Sequence, residues 1–308
     1  MFVFLLPYVC ASLWGHVGEE SEKLQRSSST ERTGYSSDYR VCVAMDWGVW
    51  EISMEEYLVY KLSIVMPEDY EPEALKAQAV LLRTELIQAI MEQEDSSLLI
   101  SGEGVSKWYE ESMDSEEFQA YRQAVEETDG LYLCFQGEVI QASYFQVSNG
   151  QTRDAAEVWD TDRYPYLQSV SCLQDKAARN YSSTVKVSRE DYIRRLQERL
   201  LGDFSQQELW DEVQLVYDAA GYVTSVLFSA QGEEEEQLDG ETFRYLFDLP
   251  SASFEMERGE TQVIFRVTGV GHGFGMSQYG ANCMALNGKT YDQILQNFFY
   301  RTELAKFE

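Results

Sequence analysis

The residues best suited to chemistry in this chain lie in one glycine-rich run near the C-terminus. Residues 269–282 read GVGHGFGMSQYGAN, with glycine at four alternate positions and again at Gly280. Glycine accepts positive φ and lets another backbone or a ligand come close. The run also holds polar side chains that donate or accept hydrogen bonds, among them His272, Ser277, Gln278 and Tyr279. This pattern predicts a recognition loop, with an ordinary turn into a helix as the alternative.

Two nucleotide-binding motifs are excluded for this run. A phosphate-binding loop ends in Gly-Lys-Ser/Thr, which is absent here. A dinucleotide fingerprint needs a different glycine spacing and a following strand, helix and acidic residue, which the sequence also lacks. The run therefore offers backbone groups and uncharged side chains to a ligand.

The glycine-rich run and an upstream block together resemble the SpoIID/LytB family. The upstream block is Met66-Pro67 followed by EALKAQAV at 73–80. Weaker similarities lie at 144–145, 157–159, 165–170, 240–244 and 291–300. The resemblance covers roughly residues 40 to 304 by this motif count. It implies a lytic transglycosylase or amidase enhancer that acts on peptidoglycan glycan strands in wall remodelling during sporulation.

The resemblance also implies a catalytic glutamate directly before Met-Pro, but this chain has Val65 there. Lytic cleavage needs an acid that protonates the glycosidic oxygen, and a raised pKa suits that task. The position fits, because a helix C-terminus and an apolar face both disfavour a negative charge. Valine cannot donate a proton. The resemblance therefore favours a glycan-binding protein with weakened or lost catalysis.

The alternative function is an active lytic transglycosylase with a relocated carboxylate. Glu73 is the weak candidate. It lies in the first turn of a helix, where the helix dipole stabilises a negative charge and gives the residue a structural role. Glu68 and Asp69 follow Pro67, in a turn that suits solvated charges. For substrate binding the resemblance implies the following residues: His272, Gly273, Gly275, Ser277, Gln278 and Tyr279. An unrelated hydrolase ranks last, because no nucleophile and base are paired.

Composition limits the partners. The chain has 308 residues and a net charge of −29, which disfavours nucleic acid and anionic lipid and permits an uncharged glycan. Five cysteines without metal-ligand spacing are interpreted as small buried residues, with one disulfide as the alternative. Gln146 replaces a histidine that the resemblance associates with zinc, so we expect no metal and no cofactor. Other cell-wall or sporulation proteins are further candidate partners, and the resemblance alone suggests a homodimer.

The N-terminus predicts export or membrane association. Residues 1–14 are apolar but too few to span a bilayer, and they lack a basic flank. They are interpreted as a truncated signal, a weak anchor or a buried strand. Residues 18–38 have the composition of a flexible linker. We therefore expect an apolar segment and linker at 1–38 and one SpoIID-like domain at 39–308.

Local sequence signals indicate the helices and strands that must position these residues. Together they predict an α+β fold of helices and antiparallel strands around a glycan-binding cleft. Ser53 and Glu56 form a capping box for a helix that Pro67 ends, and Pro72 suits the first turn of a longer helix. On that second helix, Lys76, Gln78 and Arg83 are assigned to the polar side, with Arg83 in a structural ion pair. Further expected elements are a helix at 115–128, a strand pair at 131–147, a helix at 188–201, strands at 213–217, 223–229 and 263–267, and an inserted subdomain at 175–250.

Overall fold

The computed structural model describes residues 27–28, 40–45, 48–92, 99–101, 105, 115–202, 204–211, 213–229 and 236–306. The chain forms two compact units, a first unit of Met1–Ala142 with Glu303–Glu308 and a second unit of Ser143–Thr302. Nine α-helices and five sheets occur in the described residues. The predicted α+β class is therefore confirmed.

Within the described residues, the first unit contains two sheets and three α-helices. Its strands are β1 (Ser27–Ser28), β2 (Arg40–Met45), β3 (Gly48–Ser53), β4 (Leu99–Ser101), β5 (Leu131–Phe135), β6 (Glu138–Val139) and β15 (Glu303–Lys306). Its helices are α1 (Met54–Val65), α2 (Pro72–Glu92) and α3 (Gln119–Glu126). One sheet has the order β1-β3-β2-β4, and the other places β5 between β15 and β6.

Local signals set the limits of α1. The Ser53 hydroxyl accepts a hydrogen bond from the Glu55 amide, and the Glu56 carboxylate accepts one from the Ser53 amide. The helix ends at Val65, because Met66 is extended and Pro67 cannot continue it. The predicted capping box and helix end are both confirmed.

The long helix α2 is buried on most of its circumference, because it packs against α1, α3 and β5. Residues 74–87 are buried except for Lys76 and Glu85. Gln78 and Arg83 are therefore not on a polar side, and that prediction is wrong for both. The Arg83 guanidinium pairs with both carboxylate oxygens of Glu55 at 2.7 and 2.5 Å, and both side chains are inaccessible to solvent. The predicted structural ion pair of Arg83 is thus confirmed.

In the part of the second unit that the structure describes there are three sheets and six α-helices. Its strands are β7 (Tyr144–Phe145), β8 (Ser182–Ser188), β9 (Val213–Tyr217), β10 (Val223–Phe228), β11 (Glu236–Asp239), β12 (Phe254–Arg258), β13 (Gln262–Thr268) and β14 (Met276–Ser277). Its helices are α4 (Ala155–Trp159), α5 (Arg189–Arg199), α6 (Gln206–Asp211), α7 (Gly240–Leu246), α8 (Gln278–Leu286) and α9 (Tyr291–Phe298). The two three-stranded sheets are antiparallel, and β7 pairs with β14 in parallel.

The main core of the second unit lies among the two three-stranded sheets and helices α5 to α7. Its buried residues run from Val187 to Val267 and include Tyr192, Phe243 and Phe265. Strands β12 and β13 contribute to this core, and both follow the predicted subdomain limit at residue 250. The subdomain and its boundaries stay a prediction.

Several expectations concern parts of the chain that the structure does not describe. The predicted apolar segment and most of the predicted linker lie outside the described residues.

None of the helices in the described ranges combines the length and hydropathy that a bilayer-spanning segment requires. Among the cysteines in those ranges, Cys42, Cys134 and Cys172 are buried, Cys283 is partly exposed, and no disulfide joins any two of them.

Candidate functional site

The glycine-rich run forms a loop between β13 and β14 in which every second residue has positive φ. The φ values are +78° at Gly269, +115° at Gly271, +86° at Gly273 and +74° at Gly275. Residues with a Cβ rarely adopt such values. The alternation of glycine in the sequence therefore has a direct backbone cause.

Because these glycines have no side chains, other segments of the same chain can pack directly against the loop. A Cβ at Gly275 would lie 2.0 Å from the carbonyl oxygen of Ser143, and one at Gly269 would lie 2.7 Å from that of Val147. At Gly273 it would lie 2.6 Å from the ring of Tyr222. The predicted close approach of another backbone is confirmed. In the described structure, the glycines admit the second unit's own residues.

His272 uses both ring nitrogens within the loop region. Its Nδ1 accepts a hydrogen bond from the Phe274 amide at 3.1 Å, and Nε2 lies 3.0 Å from the carbonyl oxygen of Tyr144. Nδ1 is the acceptor, so Nε2 carries the proton and donates to Tyr144. A hydrogen bond from His272 to a ligand would have to break one of these contacts. The residue is partly exposed, and a contact to its ring would leave both hydrogen bonds in place.

The charge state of His272 predicts a pH effect on stability. Burial lowers the pKa of His272 to about 4, with the charges of Arg244 and Arg153 adding to the effect. In the unfolded chain the pKa returns to about 6.5, so only the unfolded state takes up a proton between these values. Stability is complete above about pH 6.5 and falls until about pH 4, by about 3 kcal/mol. Urea unfolding at pH 7 and pH 4 should show this extra loss in the wild type relative to His272→Gln. An equal pH dependence in the two proteins would contradict a neutral imidazole with a lowered pKa.

Ser277 is fully buried and starts helix α8. Its hydroxyl donates to Asp175 Oδ2 at 2.6 Å and accepts from the Gly280 amide at 3.1 Å. Asp175 also accepts a hydrogen bond from the Ser148 amide at 2.7 Å. Burial raises the pKa of Asp175, while the hydrogen bonds from Ser277 and Ser148 oppose that rise. Ser277 therefore has an N-cap role that explains its place in the sequence.

Gln278 and Tyr279 begin α8 with different exposure. Gln278 is buried, whereas the Tyr279 side chain is partly exposed beside Cys283, one helical turn further on. The Tyr279 amide donates to the carbonyl oxygen of Gln146, whose own side chain is exposed. Among these residues, Tyr279 and Gln146 present side chains to solvent.

Three rings form a stacked group that we call the aromatic layer: His272, Phe274 and Trp159. The His272 and Phe274 ring centroids are 6.1 Å apart with planes inclined by 23°, and those of Phe274 and Trp159 are 4.3 Å apart at 26°. Phe274 is buried, whereas His272 and Trp159 are partly exposed. Tyr164 meets Trp159 edge-on at 5.4 Å. The layer thus has a buried centre and two accessible ends.

Sequence reasoning did not select Trp159 or Phe274 as site residues. Trp159 ends α4, whose N-cap Asp154 accepts hydrogen bonds from the amides of Ala156 and Glu157. For Trp159 the only sequence signal was the weak family similarity at 157–159, whereas Phe274 lies within the glycine-rich run. Trp159 and the glycine loop are more than a hundred positions apart, so their contact has no periodic signature.

The carboxylates considered for catalysis lie in the first unit. Glu73 lies in the first turn of α2, 2.6 Å from Lys76 Nζ, which also lies 2.5 Å from Glu127. Glu68 and Asp69 are exposed in the turn after α1. Val65 ends α1 and is partly exposed, unlike the fully buried Leu58 and Leu62 on the same helix. The ion pair gives Glu73 a structural explanation.

Metal ligands are not grouped in the described ranges. No set of three or more histidine, cysteine, aspartate or glutamate residues there could hold a metal ion. Tetrahedral zinc sites take four such ligands. The residues in those ranges therefore do not form a zinc site.

Known proteins resemble the chain over most of its length. The SpoIID family model, described as "Stage II sporulation protein", matches residues 47–135. Stage II sporulation protein D of Bacillus subtilis (strain 168) is 30% identical over 280 residues, which cover 84% of this chain and 76% of that protein. The protein of the same name from Bacillus amyloliquefaciens is 30% identical over 271 residues, with the same coverage. The amidase enhancer of Bacillus subtilis is 24% identical over 79% of this chain and 39% of its own length. The chain therefore belongs to the SpoIID family of stage II sporulation proteins.

Proposed function

We propose that this chain binds the glycan strands of peptidoglycan through the aromatic layer, in wall remodelling during sporulation, with catalysis weakened or lost. The stacking of Trp159 with Phe274 and His272 of the glycine loop carries this proposal. The C–H groups on one face of a pyranose ring carry partial positive charge, which the negative face of an aromatic ring attracts. Phe274 is buried behind the partly exposed Trp159, so that indole is held before a sugar arrives.

The residues implied by family resemblance take distinct parts in this proposal. Gly273 and Gly275 shape the loop, and Ser277 and Gln278 start the helix that follows it. Tyr279 and the ring face of His272 supply contact surface to the sugar. A net charge of −29 favours a ligand without strong negative charge. The amino-sugar backbone of a glycan strand satisfies that condition over long stretches.

Loss of cleavage follows from Val65. A general acid contributes about a factor of 10² to 10⁴ in rate, and an aliphatic side chain supplies none of it. The alternative function is a lytic transglycosylase that uses a relocated carboxylate such as Glu73. The ion pair of Glu73 with Lys76 favours a structural role instead. We further propose that the protein faces the cell wall, where other wall or sporulation proteins are candidate partners.

One experiment tests both parts of the proposal. Purified full-length protein is titrated with peptide-free glycan strands, and the same mixtures are examined by mass spectrometry for anhydro-sugar ends. We expect Trp159→Ala to weaken binding about tenfold, since one aromatic contact contributes up to about 1.4 kcal/mol. Tyr300→Ala serves as the control, because Tyr300 is an exposed tyrosine outside the aromatic layer. We expect no anhydro ends from the wild type.

Other outcomes would overturn one part each. Equal affinities of the wild type and Trp159→Ala, or no binding by either, would refute glycan binding at the aromatic layer. Anhydro ends formed by the wild type and abolished by Glu73→Gln would replace lost catalysis with the relocated-acid alternative.

A further inference from the structure

We propose that Arg153 is the positioning residue of the aromatic layer and that Asp218, in the turn between β9 and β10, is its anchor. This inference rests on the proposed function, because the positioning of the rings by Arg153 matters for the affinity for glycan. Arg153 is buried and directly precedes Asp154, the N-cap of α4. It therefore joins the helix that carries Trp159 to the loop that carries Phe274 and His272.

Arg153 contacts the glycine loop in three ways. Its backbone amide donates to the carbonyl oxygen of Gly273 at 2.8 Å, and Nη1 donates to that of His272 at 3.4 Å. Its guanidinium carbon lies 4.6 Å from the ring centroid of Phe274. A cation over a buried aromatic face is worth up to about 2 kcal/mol. These contacts fix both the backbone and the central ring of the layer.

Asp218 holds the guanidinium in this place. Arg153 Nε donates to Asp218 Oδ2 at 2.6 Å, and the two side chains are only 3% and 2% exposed. The other oxygen of Asp218 accepts from the Tyr222 amide at 2.8 Å, and the Tyr222 ring lies 5.2 Å from the guanidinium carbon. Removing Asp218 would leave Arg153 the more distant carboxylate of Glu241, 3.8 Å from Nη1, whereas removing the guanidinium would leave the buried Asp218 without its cation, which is costly.

The same turn also contacts α4 directly. The Glu157 carboxylate accepts a hydrogen bond from the Ala219 amide at 2.8 Å. Asn149 Nδ2 donates to the carbonyl oxygen of Ala220 at 2.7 Å. The turn is thus tied on both sides of Arg153. A lysine could keep the charge at position 153 but could not reproduce the planar guanidinium and its several hydrogen bonds.

A double-mutant cycle tests the positioning role. The four proteins are the wild type, Arg153→Lys, Trp159→Ala and the combined variant, each titrated with peptide-free glycan strands. If Arg153 acts through the aromatic layer, Arg153→Lys weakens binding about tenfold alone and less than twofold in the Trp159→Ala background. A merely structural role would give the same factor in both backgrounds and would overturn the proposal.

A second measurement does not depend on glycan. The chain has six tryptophans, so the indole N–H resonance of Trp159 is assigned by its loss in Trp159→Phe. We expect Arg153→Lys and the milder Asp218→Asn to shift this resonance, because the ring of Phe274 moves relative to the indole. Arg266→Lys is the matched control, since Arg266 pairs with Glu257 at the exposed surface of the same unit.

The two measurements separate the hypotheses. An unchanged Trp159 resonance in both Asp218→Asn and Arg153→Lys would overturn the positioning role, whether or not glycan binds. A shifted resonance in a protein that binds no glycan would support positioning and refute the proposed function. Asp218→Asn removes only the anchoring charge, so it gives a result even where Arg153→Lys does not fold.

Discussion

Gly275→Ala is expected to destabilise the second unit by about 4 kcal/mol, an unusually large loss for one methyl group. Positive φ at +74° costs an alanine about 1 kcal/mol. The larger part comes from the backbone, because the new Cβ would lie 2.0 Å from the carbonyl oxygen of Ser143. Either β7 or the loop must then move. Hydrogen exchange of the β7 and α8 peptides under increasing urea gives the free energy of opening.

Gly288→Ala is the matched control. Gly288 has nearly the same φ, +79°, but a Cβ there meets no atom within 4 Å. We expect this variant to lose only about 1 kcal/mol, the cost of the left-handed conformation. Similar losses in the two variants would show that the contact between Gly275 and Ser143 is not tight. A larger loss for Gly275→Ala also predicts weaker glycan binding, since Phe274 precedes Gly275 directly.

The sequence predicted the elements whose limits depend on neighbouring residues. The capping box at Ser53 and Glu56 and the proline after α1 act within one helical turn, so their effects can be read from spacing. The glycine alternation is a similar case, because each positive φ has its own glycine. These signals do not require knowledge of the tertiary fold.

The sequence did not predict how completely α2 is buried. Arg83 and Gln78 were placed on a polar side, because charged and amide side chains are usually solvated. In the structure, α1, α3 and β5 surround this helix, and the Arg83 charge is matched by Glu55 on a different helix. Hydrophobic periodicity reports one buried face and cannot detect a helix that is covered on several sides.

The candidate site shows the same limit. His272 was selected by its type and its glycine neighbours, but the sequence could not show that both nitrogens have backbone partners. Trp159 and Arg153 lie far along the chain from the glycine run, and Asp218 lies far from both. Only the folded second unit brings these four residues together. The glycine spacing and its polar residues identified the loop, and three-dimensional contacts identified the aromatic layer.

Val65→Glu is expected to create lytic turnover in a protein that otherwise binds glycan without cleaving it. The position ends α1, where no basic residue occupies the last turn and the helix dipole disfavours negative charge. An introduced carboxyl there would have a raised pKa, which suits a proton donor. Mass spectrometry of peptide-free glycan incubated with the variant should detect anhydro-sugar ends, at least about 10²-fold above the wild type.

Two controls separate proton donation from a change in shape. Val65→Gln introduces a side chain similar to glutamate in size and polarity but without an acidic proton, so we expect this variant to stay inactive. Ile64→Glu places a carboxyl on the neighbouring residue, which is 59% exposed, and should also be inactive. Turnover by Val65→Glu should fall as pH rises through the pKa of the introduced acid, because only the protonated form donates. If Val65→Glu binds glycan normally and still forms no anhydro ends, the absence of that one acid does not explain the lost catalysis. The chain would then lack further parts of the catalytic machinery.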